Sequence, residues 1–152
     1  MTYDELLDIA NNEGLTVMEK PLTGSNGRIY KNRIAIRPDI STTVEKSCVL
    51  AEEIGHYKTT YGDITRLDNV SNVKQEYRAR VYGYNLKVGL IGIVRCYEHG
   101  CKTLHEMADF LDVTEEYLNT VISTYRKKYG MFTTLDNYVI YFEPCLGVIK
   151  MK

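Results

Sequence analysis

Thr2-x-x-Glu5 followed by apolar Leu6, Leu7, Ile9 and Ala10 opens the chain. A Thr with an acid three positions on forms a capping box, so a helix starts here. Gly14 is its expected stop. Leu15-Thr16-Val17-Met18 reads as a strand ending before Pro21, and Leu22 to Gly27, rich in Gly, Ser and Asn, reads as a loop. Arg28-Ile29-Tyr30 and Arg33-Ile34-Ala35-Ile36, joined by a Lys31-Asn32 turn and broken by Pro38, read as a hairpin. A small antiparallel sheet is expected. Thr42-x-x-Glu45 is a second capping box, and the helix it opens carries Val44, Cys48, Val49 and a flank of Leu50 on a face suited to packing on that sheet. Tyr61-Gly62-Asp63-Ile64 is expected to end this helix and lead into a loop through Asn69.

A further helix is expected from Ser71 or Asn72 past Leu86. Small Ala79 and Gly83, four residues apart, would let it approach another helix closely. Leu90 to His99 follows as a short helix stopped by Gly100. Thr103-x-x-Glu106 caps another, and Asp112-Val113-Thr114 turns into a longer one from Glu115 to Tyr129. Met131 to Thr134 and Tyr138-Val139-Ile140-Tyr141-Phe142 then pair across Leu135-Asp136-Asn137. The pattern predicts an α+β fold: a core over 1–88, and over 89–152 a helical and β-hairpin extension packed on it.

Composition narrows the function classes. Hydrophobic residues at 44% and charged residues at 26% are ordinary for a globular chain. A net charge of −1 exerts no overall pull toward nucleic acid or an anionic membrane. Val88 to Val94, the longest apolar run, is too short to span a bilayer. The start Met1-Thr2-Tyr3-Asp4-Glu5 has no secretory pattern, and four cysteines are too few for a disulfide scaffold. A cytoplasmic, reduced protein is expected.

The chemistry concentrates in Leu50-Ala51-Glu52-Glu53-Ile54-Gly55-His56-Tyr57. On a helix, Glu52 and His56 lie one turn apart on one face, with Glu53 beside them. This is the layout of the His-Glu-x-x-His zinc helix, in which residues i and i+4 hold the metal and the Glu between takes a proton from the attacking water. Here Glu52 stands where that motif has its first His. A carboxylate is an accepted zinc ligand. A carboxylate in place of an imidazole nevertheless offsets part of the charge of a divalent ion and weakens it as a Lewis acid. Its hardness also shifts the preference toward manganese or magnesium, while His56 favours zinc.

The same octapeptide, followed by Thr59-Thr60-Tyr61-Gly62-Asp63-Ile64, resembles the metal helix of the ImmA/IrrE family of metallopeptidases from phages and integrative elements. Gln75-Glu76-Tyr77-Arg78-Ala79-Arg80-Val81-Tyr82 resembles the family's second helix. Ala108 to Leu118 and Tyr138 to Pro144 are similar to the tails of phage-type members. The resemblance implies a zincin-like metallopeptidase core that binds Zn2+, with Mn2+ as the alternative. Glu52, His56 and Glu76 would be the metal ligands, and Glu53 the general base. It also implies a protein substrate, the helix-turn-helix repressor of the element, whose cleavage relieves repression. The alternative is a non-catalytic anti-repressor that binds the repressor through the same surface.

Other patterns carry less. His105-Glu106-x-x-Asp109 imitates a metal helix, yet Glu106 is already the capping partner of Thr103. Cys96-x-x-His99-x-Cys101 is half of a metal knuckle with no second half. Tyr57, Tyr61, Tyr82 and Tyr84 fall near the metal helix in sequence, where a phenol can donate to an oxyanion, but half-buried packing is the commoner use. The two helices from Thr103 to Tyr129 have helix-turn-helix spacing. Their second helix opens Thr114-Glu115-Glu116, which repels phosphate, and its cations Arg126, Lys127 and Lys128 stand at the far end. No direct nucleic-acid contact is expected of it.

Overall fold

Four threonines start helices by accepting a backbone amide. The computed structural model describes residues 1–59 and 69–151. Within it Thr2 accepts from the Glu5 amide ahead of α1 (Tyr3–Asn12), and Thr42 from the Glu45 amide ahead of α2 (Thr43–Thr59). Between these helices run β1 (Thr16–Glu19), β2 (Gly27–Tyr30) and β3 (Arg33–Ile36). The expected end of α2 at Tyr61-Gly62-Asp63-Ile64 lies outside the described residues. The next helix, α3 (Asn69–Lys87), begins two or three residues ahead of the expected start.

The first sheet is not purely antiparallel. Its order is β1-β3-β2: β2 pairs with β3 as the expected hairpin, but β1 runs parallel to β3, with Val17 opposite Ile34. Burial explains the order. Ile34 and Ile36 on β3 are almost completely buried, whereas β1 and β2 are mostly exposed, so the most apolar strand takes the centre. Lys31 supports the tight turn with a left-handed φ of 53°.

Leu6 and Ala10 of α1, Leu50, Ala51 and Ile54 of α2, and Ile34 and Ile36 of β3 form one apolar cluster, on which Tyr82 and Leu86 of α3 also pack. Each fully buried Leu or Ile contributes about 1.5–3 kcal/mol. The cluster therefore holds α2 against one face of the sheet and sets which way its polar residues point.

Contacts divide the chain into two compact units, Met1–Leu86 and Lys87–Lys152. The second contains α4 (Gly89–His99), α5 (Leu104–Leu111) and α6 (Glu115–Tyr129). Gly100 closes α4, while Thr103 and Thr114 cap the starts of α5 and α6. Its antiparallel sheet has the order β4-β5-β6, with β4 (Phe132–Leu135), β5 (Tyr138–Tyr141) and β6 (Gly147–Lys150). Strand β6 was not expected from sequence. It is short, follows Pro144 and pairs antiparallel with β5, Ile140 opposite Val148. Tyr125 of α6 meets Phe142 edge-on, with ring centroids 6.4 Å apart. Lys87, its side chain wholly buried, pairs with Asp112 at 3.3 Å.

At the C-terminus of α4 the Cys101 amide donates to the Cys96 carbonyl at 3.0 Å, the wide bond of a glycine-capped helix end. Cys96 is 1% exposed. Burial, then the charge of Cys101 and a hydrogen bond with it, push its thiol up to about 12. Iodoacetamide at about pH 8 is expected to label exposed Cys145 and to spare Cys96, since only a thiolate reacts. Peptide mapping of the alkylated chain checks this; rapid labelling of Cys96 in the folded protein would contradict it.

Candidate metal centre

Two helices make the site, and glycines let them meet. A Cβ on Gly55 of α2 would overlap the Ala79 carbonyl oxygen of α3 outright. A Cβ on Gly83 of α3 would come within 3.0 Å of the Ala51 carbonyl oxygen of α2. Backbone therefore lies against backbone, which side chains at these positions would forbid. This close crossing brings Glu76 of α3 to the face of α2 that carries Glu52 and His56.

His56 Nε2 lies 3.7 Å from Glu76 Oε2 and 4.0 Å from Glu52 Oε1. One ligand atom from each of the three residues falls within 4.8 Å of the others. Around a tetrahedral ion with bonds of roughly 2.0–2.1 Å, ligand atoms stand roughly 3.3 Å apart. Contraction by an ångström or so, well within side-chain torsional freedom, closes the cluster on an ion. One nitrogen and two carboxylate oxygens suit a divalent cation, so this cluster can hold one. The two Glu side chains are 40% and 45% exposed and that of His56 14%, which leaves the site open on one side to water or substrate.

Glu53 is placed differently. It is only 8% exposed and turns toward β2, where a Cβ on Gly27 would stand 3.0 Å from its Oε1. Gly27 thus leaves room for this carboxyl beside an edge strand. Burial, followed by the charges of Glu52 and then Glu76, raises its pKa to about 7. The residue therefore shares the electrostatic neighbourhood of the cluster without belonging to the group of three.

Arg80 is not singled out by sequence alone. Its Nε lies 3.7 Å from Glu52 Oε1, and the one local signal is its position a turn beyond Glu76 on the same helix. Tyr84, one turn further, is half-buried; burial raises its pKa, with opposing smaller effects from Arg80 and Glu52. That phenol stands near the cluster. Tyr57 is 38% exposed and Tyr82 packs on the core cluster, while Tyr61 lies outside the described residues.

The look-alike motifs are otherwise engaged. The Glu106 carboxylate accepts from the Lys102 amide at 2.8 Å, and its own amide donates to the Thr103 hydroxyl, so it is spent at the start of α5. His99 stacks on Phe110 at 4.5 Å. Among the described residues, Glu52, His56 and Glu76 are the cluster of this kind that could hold an ion.

Removing one ligand is expected to weaken metal binding by roughly a hundredfold, since site energies of about 10 kcal/mol are shared among three or four ligands. Metal analysis after gel filtration of Glu52→Ala, His56→Ala and Glu76→Ala checks this. Stoichiometry unchanged in any of them would remove that residue from the ligand set. Compared with protein-family models the chain matches none, and no curated protein matches it either.

Proposed function

We propose that this protein is a metallopeptidase of the ImmA/IrrE kind, with a zincin-like core, that cleaves the helix-turn-helix repressor of a phage or mobile element in the cytoplasm of its bacterial host. The observation that carries the reading is the convergence of Glu52, His56 and Glu76 beside a buried, electrostatically raised Glu53. Among the described residues no helix is long and apolar enough to cross a membrane.

Glu52, His56 and Glu76 would hold the ion, and zinc is the better choice because an imidazole is among the ligands. When bound, the ion supplies Lewis acidity toward a peptide carbonyl and toward water. Glu53 accepts a proton from the attacking water on its carboxylate and returns it to the leaving amine. A carboxyl whose affinity for protons is raised toward neutrality suits both transfers. Arg80 draws off part of the Glu52 charge, which offsets the excess of carboxylate in the ligand set. Among the described residues the outer edge of β2, beside α2, pairs with no other strand and offers backbone groups to an extended substrate.

The test is to incubate the purified protein with the repressor encoded next to it and zinc or manganese, beside Glu53→Gln. Cleavage by the wild type and its loss in the variant support catalysis. Repressor released from its operator equally by both proteins, with no fragments, would replace the peptidase by a binding anti-repressor.

A further inference from the structure

The face of the first sheet turned away from the helices is shaped and charged for a ligand. Strand alternation puts Ile34 and Ile36 in the core and Arg33 and Ala35 on this other face. Register then fixes two rows across the strands: Thr16, Arg33 and Tyr30, and next to them Met18, Ala35 and Arg28. With Lys20 beyond Met18 these residues line a concavity of about 520 Å³.

Among the described residues three cations line it and no acid does. Among the described residues Lys20, Arg28 and Arg33 make no ion pair. Lys31 adds a fourth positive charge with its Nζ 5.5 Å over the Tyr30 ring. Glu19, the nearest acid in sequence, is neutralised by Lys46. Tyr30 is 70% and Met18 46% exposed, a large apolar area to leave in water on one small sheet.

Charge selects the occupant. Arg33 on β3, Arg28 on β2 and Lys20 just past β1 lie in successive rows but on different strands, so the positive charge is spread across the whole face and an acidic chain crossing it meets all three. A nucleic-acid strand fits less well. The chain's net charge of −1 gives no long-range attraction to phosphate, and a single exposed aromatic cannot stack successive bases.

We propose that this face docks an extended acidic segment of the protein substrate. The carboxylates meet Arg33, Arg28 and Lys20, while Tyr30 and Met18 pack on the carbon stems between them. Assignment of the segment to the substrate rests on the peptidase reading; the docking itself does not.

The probe is a fluorescein-labelled Glu-Thr-Glu-Thr-Glu peptide, titrated with the metal-free full chain and followed by anisotropy. Saturable binding that weakens with salt is expected, with at least about a tenfold loss in Arg28→Glu/Arg33→Glu and none in Lys127→Gln/Lys128→Gln, exposed cations on α6. Arg28→Gln/Arg33→Gln, which adds no repulsion, should also lose binding and serves in place of the charge reversal if that unfolds the sheet. No binding, binding by both double variants equal to that of the wild type, or tighter binding of a ten-residue oligothymidine lost in those variants would overturn the proposal. In repressor cleavage the Gln double variant should raise KM several-fold at constant kcat. An unchanged KM overturns the assignment to the substrate, and loss of cleavage by the wild type itself overturns the peptidase reading while the peptide titration still stands.

Discussion

Gly55→Ala is expected to destabilise the protein by about 3 kcal/mol and to abolish metal binding together with it. Overpacking a well-filled interior costs about 1–3 kcal/mol when side chains can yield. Here the obstacle is the Ala79 carbonyl of the facing helix, which has no torsion of its own to relax. The helices must separate, and Glu76 leaves with α3. Gly83→Ala, whose new methyl would meet the Ala51 carbonyl at 3.0 Å, should cost less, about 1–2 kcal/mol. Gly147→Ala is the control: nothing lies within 4 Å of the added carbon, so a change within about 0.5 kcal/mol is expected. Thermal unfolding and metal content of the three variants test the order. Full metal occupancy in Gly55→Ala would mean that the close crossing does not hold the site together.

Glu53→Gln should have the second large effect, in two separable ways. On the proposed peptidase reading, cleavage is expected to fall about 10²–10⁴-fold with bound metal retained, because a proton acceptor is then lost and no ligand is. The stability of the metal-free protein should also change its dependence on pH. The Glu53 carboxyl titrates near 4.5 when exposed and near about 7 in the folded chain. Below the lower value both states are protonated and burial carries no charge penalty. As pH rises through the folded value the unfolded state has already released its proton, so folding loses about 3 kcal/mol in all. Glu53→Gln should remove this loss, leaving the variant more stable than wild type at neutral pH and similar at about pH 4. Chemical denaturation across that range reads the difference. A bound dication favours the carboxylate and should shrink it. Parallel pH profiles for the two metal-free proteins would show that Glu53 is not the buried acid described above.

Legibility differed from element to element for physical reasons. Thr2, Thr42, Thr103 and Thr114 marked helix starts because capping is a short-range bond between residues three apart. The i, i+4 relation of Glu52 and His56 was equally local. Strand β1 was recognised as a strand but placed in an antiparallel sheet, since nothing within Leu15 to Met18 says which neighbour it joins. Strand β6 was missed because its four residues, Gly147–Lys150, carry little alternation of their own. Arg80 was passed over because its relevance depends on where Glu52 lies across another helix.

By itself the sequence determined most of the helices, the threonine caps, the face shared by Glu52 and His56, and Ala79 and Gly83 as small residues on one side of a close crossing. All of these are set by contacts within about one helical turn. Gly55, across that crossing, was not singled out. Tertiary structure decided that β3 is central, that Glu76 reaches the turn of Glu52 and His56, and that Glu53 turns inward against Gly27 and is pushed toward neutrality. Those outcomes depend on which distant segments exclude water from each other, and on charges that meet only once the chain has folded.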